Sequence, residues 1–266
     1  IKIMLGLVKP DAGEVFIMGR PARGEGFRDV RRNIGYLPEN IIFYPNLSGL
    51  ETMQFFAGLK GADPKTCFTL LEKAGLGNAV RRPVRAYSRG MCQRLGFAQA
   101  LLGKPRILFL DEPTAGLDPG GVRGFYDMLA ELKLDGVTVI LSSHNLAEIQ
   151  NRVDRLALVR LGNLQAAGTV QDLHDALTLP VQVRLRLSAG GDISVRTSLS
   201  GVPGCSLKLD GTGGTIECSQ AHKMQVLATL MSLPEVVDVH VREPSLEDVY
   251  LGYAENPNNE NSHAQN

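Results

Sequence analysis

Short apolar runs that end in polar residues occur at three places in the chain and predict strands of a parallel sheet. The runs cover Ile34–Leu37, Ile107–Leu110 and Val137–Leu141. The second leads directly into Asp111 and Glu112, and the third leads through two serines to His144. Because ligands bind at the carboxyl ends of parallel strands, we predict an α/β fold with these side chains at that edge. A further strand at Glu14–Met18 is predicted to complete the sheet.

Helical spacing of apolar residues from about residue 45 to residue 103 predicts a helical subdomain. Ser48 precedes Glu51 by three residues, so the pair is predicted to form a capping box at the start of one helix. Ser88 stands where an N-cap belongs, before a helix that runs through Leu95 and Ala98. Together with the sheet, this subdomain makes up a domain that we place at residues 1–177.

The pattern changes after Gly168 and predicts a small α+β domain over residues 178–254. Strict alternation over Val181–Leu187 is typical of a half-buried strand. The other predicted elements are a helix at Thr169–Leu177, strands near Ile193–Val195, Thr215–Cys218 and Val237–Val241, a helix over about Ala221–Leu233, and a last helix from Pro244. These elements predict a meander with one packed helix. The Asn-rich residues 255–266 are predicted to be a disordered tail.

Composition narrows the classes of partner. The chain has 266 residues, a mass of 28.8 kDa and a formal net charge of +0, so no nucleic-acid partner is expected. No apolar run approaches the roughly 20 residues that span a bilayer, and any link to a membrane is expected to run through a partner. The four cysteines contain no Cys-x-x-Cys pair, and we interpret them as reduced thiols rather than disulfides or a zinc site.

The adjacent carboxylates of Asp111 and Glu112 indicate nucleotide hydrolysis. One carboxylate can hold Mg²⁺, usually through water, while its neighbour orients or deprotonates an attacking water. For this pair alone, the alternative is a core strand whose acids cap the next helix.

Two other segments are compatible with phosphate binding. Ser88 and Gly90 could bring the N–H groups of a helix N-terminus close to a phosphate, although a simple helix cap explains the same residues. His144 could contact a γ-phosphate, although a histidine after a strand is usually structural. Each segment alone is weak evidence, so their order along the chain decides between the interpretations.

Taken in order, these segments resemble the ATP-binding subunits of ABC transporters. Asp111 falls on the Walker B aspartate, which in that family holds Mg²⁺. Glu112 falls on the catalytic glutamate, and His144 occupies the position of the switch histidine. The resemblance spans roughly the first two thirds of the chain and implies a P-loop NTPase-like ABC nucleotide-binding domain.

The signature motif of that family is similar to Ser88–Met91, with two departures from its usual Ser-Gly-Gly-Gln. Arg89 and Met91 replace a glycine and the glutamine, whereas Ser88 and Gly90 are retained. The resemblance implies that these two retained residues contact nucleotide.

Two further segments extend the resemblance. Ala115–Asp118 is similar to the D-loop, which assigns Asp118 to the nucleotide site. Gly35–Glu39 matches the segment that carries the Q-loop, and Glu39 replaces the usual glutamine. The resemblance therefore makes Glu39 a candidate for nucleotide binding and a second candidate for binding Mg²⁺.

A P-loop of the form Gly-x-x-x-x-Gly-Lys-Ser/Thr is absent from the sequence. The first residues, Ile1–Leu7, resemble the helix that follows a P-loop in this family. We therefore expect that the sequence is truncated at its N-terminus and that the chain as written is not a competent ATPase. A naturally degenerate, non-catalytic regulatory subunit is the alternative.

The resemblance implies how such a subunit works. Two ATPase subunits, most simply a homodimer, would hold two ATP molecules and Mg²⁺ between them, with Ser88 and Gly90 of one chain facing the carboxylates of the other. The pair would drive a multispanning ABC-2-type permease from the cytoplasmic face of the inner membrane. A soluble ABC protein of translation or DNA repair is the alternative class, but it usually has tandem cassettes or a long coiled-coil insertion.

The cargo is suggested by two adjoining segments. Tyr36–Asn40 with Phe43–Pro45, and then Leu47–Thr52, resemble the ATPase of the nitrous-oxide reductase maturation transporters, which serve copper-site assembly. Drug and lipid exporters share much of this framework, so both kinds of cargo stay open.

Overall fold

The computed structural model describes residues 1–177 and 179–255, which form two compact units. The first unit spans Ile1–His144, and the second begins at Asn145. Residues 256–266, most of the predicted disordered tail, lie outside the described residues.

The first unit alternates strands with helices. Its elements are β1 (Phe16–Ile17), β2 (Arg20–Pro21), α1 (Phe27–Arg32), β3 (Ile34–Leu37), α2 (Gly49–Lys60), α3 (Thr66–Lys73), α4 (Arg89–Ala100), β4 (Ile107–Asp111), α5 (Pro119–Leu134) and β5 (Thr138–Ser142). Short 3₁₀ turns at Gly77–Ala79 and Val84–Ala86 connect α3 to α4.

A parallel sheet of order β3-β4-β5 forms the centre of this unit, as the three apolar runs predict. β4 lies in the middle, and its residues Leu108, Phe109 and Leu110 are buried because helices cover the sheet. β5 lies at the edge, where the side chain of Ile140 is 37% exposed. Within the described residues the outer edge of β5 pairs with no strand.

The predicted strand at Glu14–Met18 is wrong in its extent and its partner. Only Phe16–Ile17 is extended, and it pairs antiparallel with Arg20–Pro21 in a separate hairpin. The reason is a tight turn at Met18 and Gly19, whose φ angles of 52° and 73° leave the extended region.

The three helices α2, α3 and α4 share an apolar core of their own. Its fully buried members are Met53, Ala57, Cys67, Leu71, Leu95, Ala98 and Leu102. The predicted capping box is present, because the Ser48 hydroxyl accepts from the Glu51 N–H at 3.3 Å and a Glu51 carboxylate oxygen accepts from the Ser48 N–H at 2.8 Å. The Ser48 hydroxyl also donates to this carboxylate at 2.7 Å, and this bond, followed by the bond from the Ser48 N–H, lowers the pKa of Glu51.

The second unit contains more helices and strands than the sequence pattern predicts. They are α6 (Leu146–Ile149), β6 (Leu156–Arg160), β7 (Asn163–Gly168), α7 (Val170–Leu177), β8 (Val181–Leu187), α8 (Gly191–Leu199), β9 (Ser206–Leu209), β10 (Gly213–Cys218), α9 (Lys223–Met231), β11 (Val236–Arg242) and α10 (Leu246–Glu255). α7 and α10 close over the β6–β7 hairpin around Leu158, Leu173 and Val249.

The predicted meander with one helix is corrected by the sheet order β11-β8-β10-β9, which is antiparallel throughout. With α8 after β8 and α9 after β10, this is a split βαβ arrangement with two packed helices. The predicted strand at Ile193–Val195 lies within α8, because Val195 and Leu199 are four residues apart and bury one helical face against the sheet.

The first compact unit ends at His144 and the second begins at Asn145, whereas the sequence pattern suggested a boundary at residue 177. The segment 156–177 shares its core with α10 near the chain's end, which explains why it belongs to the second unit. None of the helices in the described ranges has the length and apolar character needed to cross a bilayer.

Gly35 and Gly58 offer a matched test of this packing. A Cβ on Gly35 would lie 2.2 Å from the Ala100 carbonyl oxygen, whereas a Cβ on the exposed Gly58 meets nothing within 4 Å. We expect Gly35→Ala to lower the free energy of unfolding by about 2 kcal/mol, since α4 must move off β3. Gly58→Ala is expected to raise it by about 0.5 kcal/mol, because alanine favours a helix interior.

Urea denaturation of both variants measures these changes. Equal effects of the two substitutions would contradict the close packing of α4 on β3.

Candidate functional site

Ser142 joins the carboxyl ends of two neighbouring strands. Asp111 on β4 and Ser142 on β5 are direct partners in the parallel register. The Ser142 hydroxyl donates to Asp111 Oδ1 at 2.6 Å and accepts from the Glu112 N–H at 3.1 Å. One side chain therefore holds both the aspartate carboxylate and the backbone of the next residue.

Glu112 adopts a left-handed backbone conformation, with φ of 47°. Such a conformation is uncommon for a residue with a side chain and is frequent at functional sites. Two hydrogen bonds hold it: its N–H donates to Ser142, and its carbonyl accepts from the Ala115 N–H at 3.1 Å.

His144 contacts Glu112 directly. Its Nδ1 lies 2.8 Å from Glu112 Oε2, and the imidazole side chain is 85% exposed whereas the glutamate side chain is 21% exposed. The contact thus joins a shielded carboxylate to an accessible ring. The ring nitrogen can donate to the carboxylate, and the other nitrogen is free to meet a ligand.

The electrostatic environment of the strand ends is negative. Burial and then the charge of Asp111 raise the pKa of the Tyr36 hydroxyl on β3. The Asp111 charge therefore reaches across the sheet to β3. Such a site suits a divalent cation, which favours carboxylate oxygen.

Ser88 is the N-cap of α4, as predicted, and its hydroxyl accepts from the Met91 N–H at 3.2 Å. Gly90 lies against the loop that follows β4, where an added Cβ would come within 3.3 Å of the Gly116 carbonyl oxygen. Arg89, which departs from the family pattern, lays its side chain beside Gly116 in the same place. The loop thus covers one side of the helix start.

Gln93 and Arg94 also join α4 to this loop, and the sequence reading missed both. The buried Gln93 side chain donates to the Pro113 carbonyl at 2.8 Å, and Arg94 lies 3.8 Å from an Asp118 carboxylate oxygen. The sequence shows only that Gln93 follows the Ser88 cap by just over one helical turn. It gives no sign of the contact with Pro113, which lies 20 residues away.

Asp118 has a local role as well. It is the N-cap of α5, and its carboxylate accepts from the Gly121 N–H at 3.1 Å. The structure therefore gives Asp118 a structural task within this chain, and three quarters of its side chain is exposed.

The structure brings some predicted residues together and keeps others apart. Asp111, Glu112 and His144 form one cluster through Ser142. Glu39 is exposed in the turn after β3, and in the described part of the chain neither it nor Ser88 is hydrogen-bonded to that cluster.

The donor set fits Mg²⁺ as a partner of phosphate rather than as an ion in a protein cage. No group of three or more metal-binding side chains occurs among residues 1–177 and 179–255. Mg²⁺ typically takes one or two carboxylates and completes its shell with water and substrate phosphates. Asp111, with one oxygen engaged by Ser142, can supply such a carboxylate.

A separate cleft of about 470 Å³ opens in the first unit. Its lining is mainly apolar, with Ile41, Ile42, Phe43, Phe56 and Leu59, and its cations are Arg31 and Lys60. Lys60 donates to the Ile34 carbonyl at 3.1 Å, and burial lowers its pKa to about 8.

Known proteins similar to this chain share one family description. The family model described as ABC transporter matches residues 1–115. The ABC transporter ATP-binding protein YhcH of Bacillus subtilis (strain 168) is 34% identical over 99% of this chain and 85% of its own length. The daunorubicin resistance ATP-binding protein DrrA3 of Streptomyces coeruleorubidus is 30% identical over 94% of this chain and 81% of its own length.

A solved structure agrees with these relatives. The ATP-binding cassette MJ0796, solved as a dimer in a post-hydrolysis state with ADP and Pi, matches with a TM-score of 0.59 at 25% identity, over 64% of this chain and 78% of that chain. The matches confirm the predicted α/β fold class. The chain spans about half the length, 52% and 56%, of two other curated relatives, from Nostoc and Bacillus subtilis.

Ser142→Ala tests the bridge between the strands. Loss of the hydroxyl leaves the Glu112 N–H and the Asp111 carboxylate without this partner, so we expect the free energy of unfolding to fall by about 1–2 kcal/mol. Hydrogen exchange at the Glu112 amide should become faster. Ser142→Thr keeps the hydroxyl and serves as the control, and equal exchange in the two variants would contradict the bridge.

Proposed function

The chain belongs to the family of ABC transporter ATP-binding proteins, and from this membership we propose that it is the ATP-hydrolysing subunit of an exporter. The observation that carries the proposal is the cluster of Asp111, Glu112 and His144 at the ends of two parallel strands, joined by Ser142. Such a cluster places an acid, a base and a proton-sensitive ring at one edge of the sheet.

Glu112 is the proposed general base. Its carboxylate is mostly shielded from solvent, and its backbone is fixed on both sides, so it can take a proton from a water held beside it. His144 orients that carboxylate through its Nδ1 contact, and its exposed side is free to donate to a phosphate oxygen.

Asp111 is the proposed residue that holds Mg²⁺, through a bound water as is usual in the family. Bound Mg²⁺ supplies charge stabilisation at the phosphates. The Ser142 hydroxyl fixes the direction of the Asp111 carboxylate, which keeps its second oxygen available. Glu39 is a further proposed ligand to the nucleotide or to Mg²⁺, from the turn after β3.

Ser88, Gly90 and Asp118 are proposed to contact the nucleotide of a second, identical subunit. The start of α4 offers N–H groups and a positive dipole end to such a nucleotide. The solved dimer of MJ0796 with ADP and Pi supports a paired arrangement.

Hydrolysis also requires a P-loop, and the sequence contains none. The outer edge of β5 pairs with no strand among residues 1–177 and 179–255, and Ile140 there is exposed, so this edge can accept a further strand. ATP hydrolysis should therefore be measured on the protein isolated from its source cells, with its intact mass and N-terminal sequence determined in the same preparation.

The proposed permease contact is the cleft beside α2. Ile42, in the loop after β3, is 91% exposed, and Leu59, near the end of α2, is 71% exposed. Exposed apolar side chains of this kind are typical of protein–protein contact sites. Nearby, Tyr44 packs edge-on against Phe55, with 5.6 Å between the ring centroids. A subunit that docks here would work peripherally at the cytoplasmic face of the inner membrane.

We propose that the cargo is a toxic compound that the transporter exports. The proposal is based on the similarity to the daunorubicin resistance protein DrrA3. Maturation of nitrous-oxide reductase, suggested by residues 36–52, stays a prediction. The described part of the chain contains no metal-binding cluster. In copper-site maturation this subunit would therefore supply the energy of ATP hydrolysis and would not bind copper itself.

Glu112→Gln tests the general base. In the protein isolated from its source cells we expect ATP binding to persist and hydrolysis to fall at least about a hundredfold, because the amide cannot accept the proton. The matched control is Glu131→Gln, an exposed carboxylate on α5. Near-normal hydrolysis by Glu112→Gln would remove that residue from the proposed role.

Ile42→Asp tests the docking cleft. A charge in the apolar cleft should reduce the amount of permease that copurifies by at least about tenfold, the effect of roughly 1.4 kcal/mol. Leu134→Asp is the control, because Leu134 at the end of α5 is 89% exposed and lies outside the cleft. Equal losses in the two variants would exclude this cleft as the contact.

A further inference from the structure

Two cysteines that lie apart in the sequence come together in the second unit. β9 and β10 pair antiparallel, with Ser206 opposite Glu217 at the end of the ladder. Cys205 directly precedes β9, and continuing the same register by one residue sets it opposite Cys218. The charge interaction that raises the pKa of Cys218, after burial, comes from Cys205 and supports this proximity.

The hydrogen-bond phase of the ladder sets how close the two residues come. The Asp210 N–H donates to the Gly213 carbonyl at 3.0 Å, so that pair is hydrogen-bonded. Hydrogen-bonded and non-hydrogen-bonded pairs alternate along an antiparallel ladder. Counting outward from Asp210 and Gly213, the pair of Cys205 and Cys218 is non-hydrogen-bonded.

The other side of β10 gives an independent check. The Leu187 N–H donates to the Thr212 carbonyl at 2.7 Å, so the same alternation makes Val181 and Cys218 a hydrogen-bonded pair. A residue in a central strand directs both backbone groups toward one neighbour, so Cys218 must be non-hydrogen-bonded toward β9.

Non-hydrogen-bonded partners are about 4.5 Å apart between Cα atoms, which lies within the range of about 4.4–6.8 Å that disulfides require. Both side chains point to the same face, since Cys218 is in the core of the second unit and Cys205 packs against it. Both are free thiols in the structure.

We infer that Cys205 and Cys218 form a thiol–disulfide modification site that takes small-molecule disulfides such as oxidised glutathione. The half-buried Cys205 is the thiol that reacts first, because Cys218 is fully buried. The inference does not depend on the proposed function, since the second unit contains none of the residues of the nucleotide site.

The reaction has two balanced steps. The Cys205 thiolate attacks one sulfur of oxidised glutathione, forms a mixed disulfide and releases one glutathione thiolate. The Cys218 thiolate then attacks the Cys205 sulfur, forms the protein disulfide and releases the second glutathione thiolate. The two thiols lose two protons and two electrons, and one oxidised glutathione becomes two reduced molecules.

Burial raises the pKa of both thiols, so the thiolate is scarce at neutral pH. The rate of disulfide formation should therefore rise about tenfold for each pH unit between pH 7 and pH 8, as the thiolate fraction does. The product would tie β9, the edge strand, to the more central β10.

The test incubates the full chain with oxidised glutathione and maps its peptides by mass spectrometry. We expect a peptide pair that joins Cys205 to Cys218, with two hydrogens lost, and reversal by dithiothreitol. The link should exceed any other cysteine pair by at least about tenfold, because disulfides require close Cα atoms. Glutathione left on Cys205, links to other cysteines or unchanged thiols would each overturn the inference.

Two cysteine variants serve as controls for the peptide map of the wild-type chain. Cys205→Ser should abolish the link, and Cys92→Ser, a half-buried cysteine in the first unit, should leave it intact. Loss of the link in Cys92→Ser would overturn the inference. The wild-type map still decides if a variant fails to fold.

Discussion

The hydroxyl of Ser142 is the interaction on which the candidate site depends. It satisfies the Asp111 carboxylate and the Glu112 N–H together, across two strands that are paired at that register position. A shift of the parallel register by one residue would remove the serine from this face, since neighbouring side chains in a strand alternate.

The same constraint explains why Glu112 can hold an uncommon backbone conformation. A left-handed residue with a side chain persists where its surroundings fix it. Here Ser142 holds the N–H side, and the turn to Ala115 holds the carbonyl side. Gln93 then fixes the next residue by donating to the Pro113 carbonyl, so a hydrogen bond joins α4 to the turn that contains Glu112. Movement of α4 would therefore be felt at Glu112.

Much of the first unit follows from local sequence. The apolar runs before Asp111 and Ser142 predict parallel strands, and Ser48 with Glu51 predicts a helix start, because strand patterns and helix caps depend on residues close in the chain. Local alternation misled at Ile193–Val195, where the core of the sheet selects a helix by burying Val195. No local signal could pair Gln93 with Pro113, since that contact exists only once α4 has packed.

Strand register therefore decides the chemistry of both units, in two different ways. Parallel pairing in the first unit brings the ends of β4 and β5 to one edge, so residues that terminate strands become neighbours. Antiparallel pairing in the second unit makes neighbours of residues on opposite sides of a hairpin, such as Ser206 and Glu217, and we infer the same for Cys205 and Cys218. The cysteine spacing alone indicates separate thiols. The inferred closeness of Cys205 and Cys218 depends on the alternation of hydrogen-bonded and non-hydrogen-bonded pairs along the ladder. Sequence motifs reveal a site at the ends of parallel strands, because its residues directly follow apolar runs. They do not reveal a pair that forms across an antiparallel ladder.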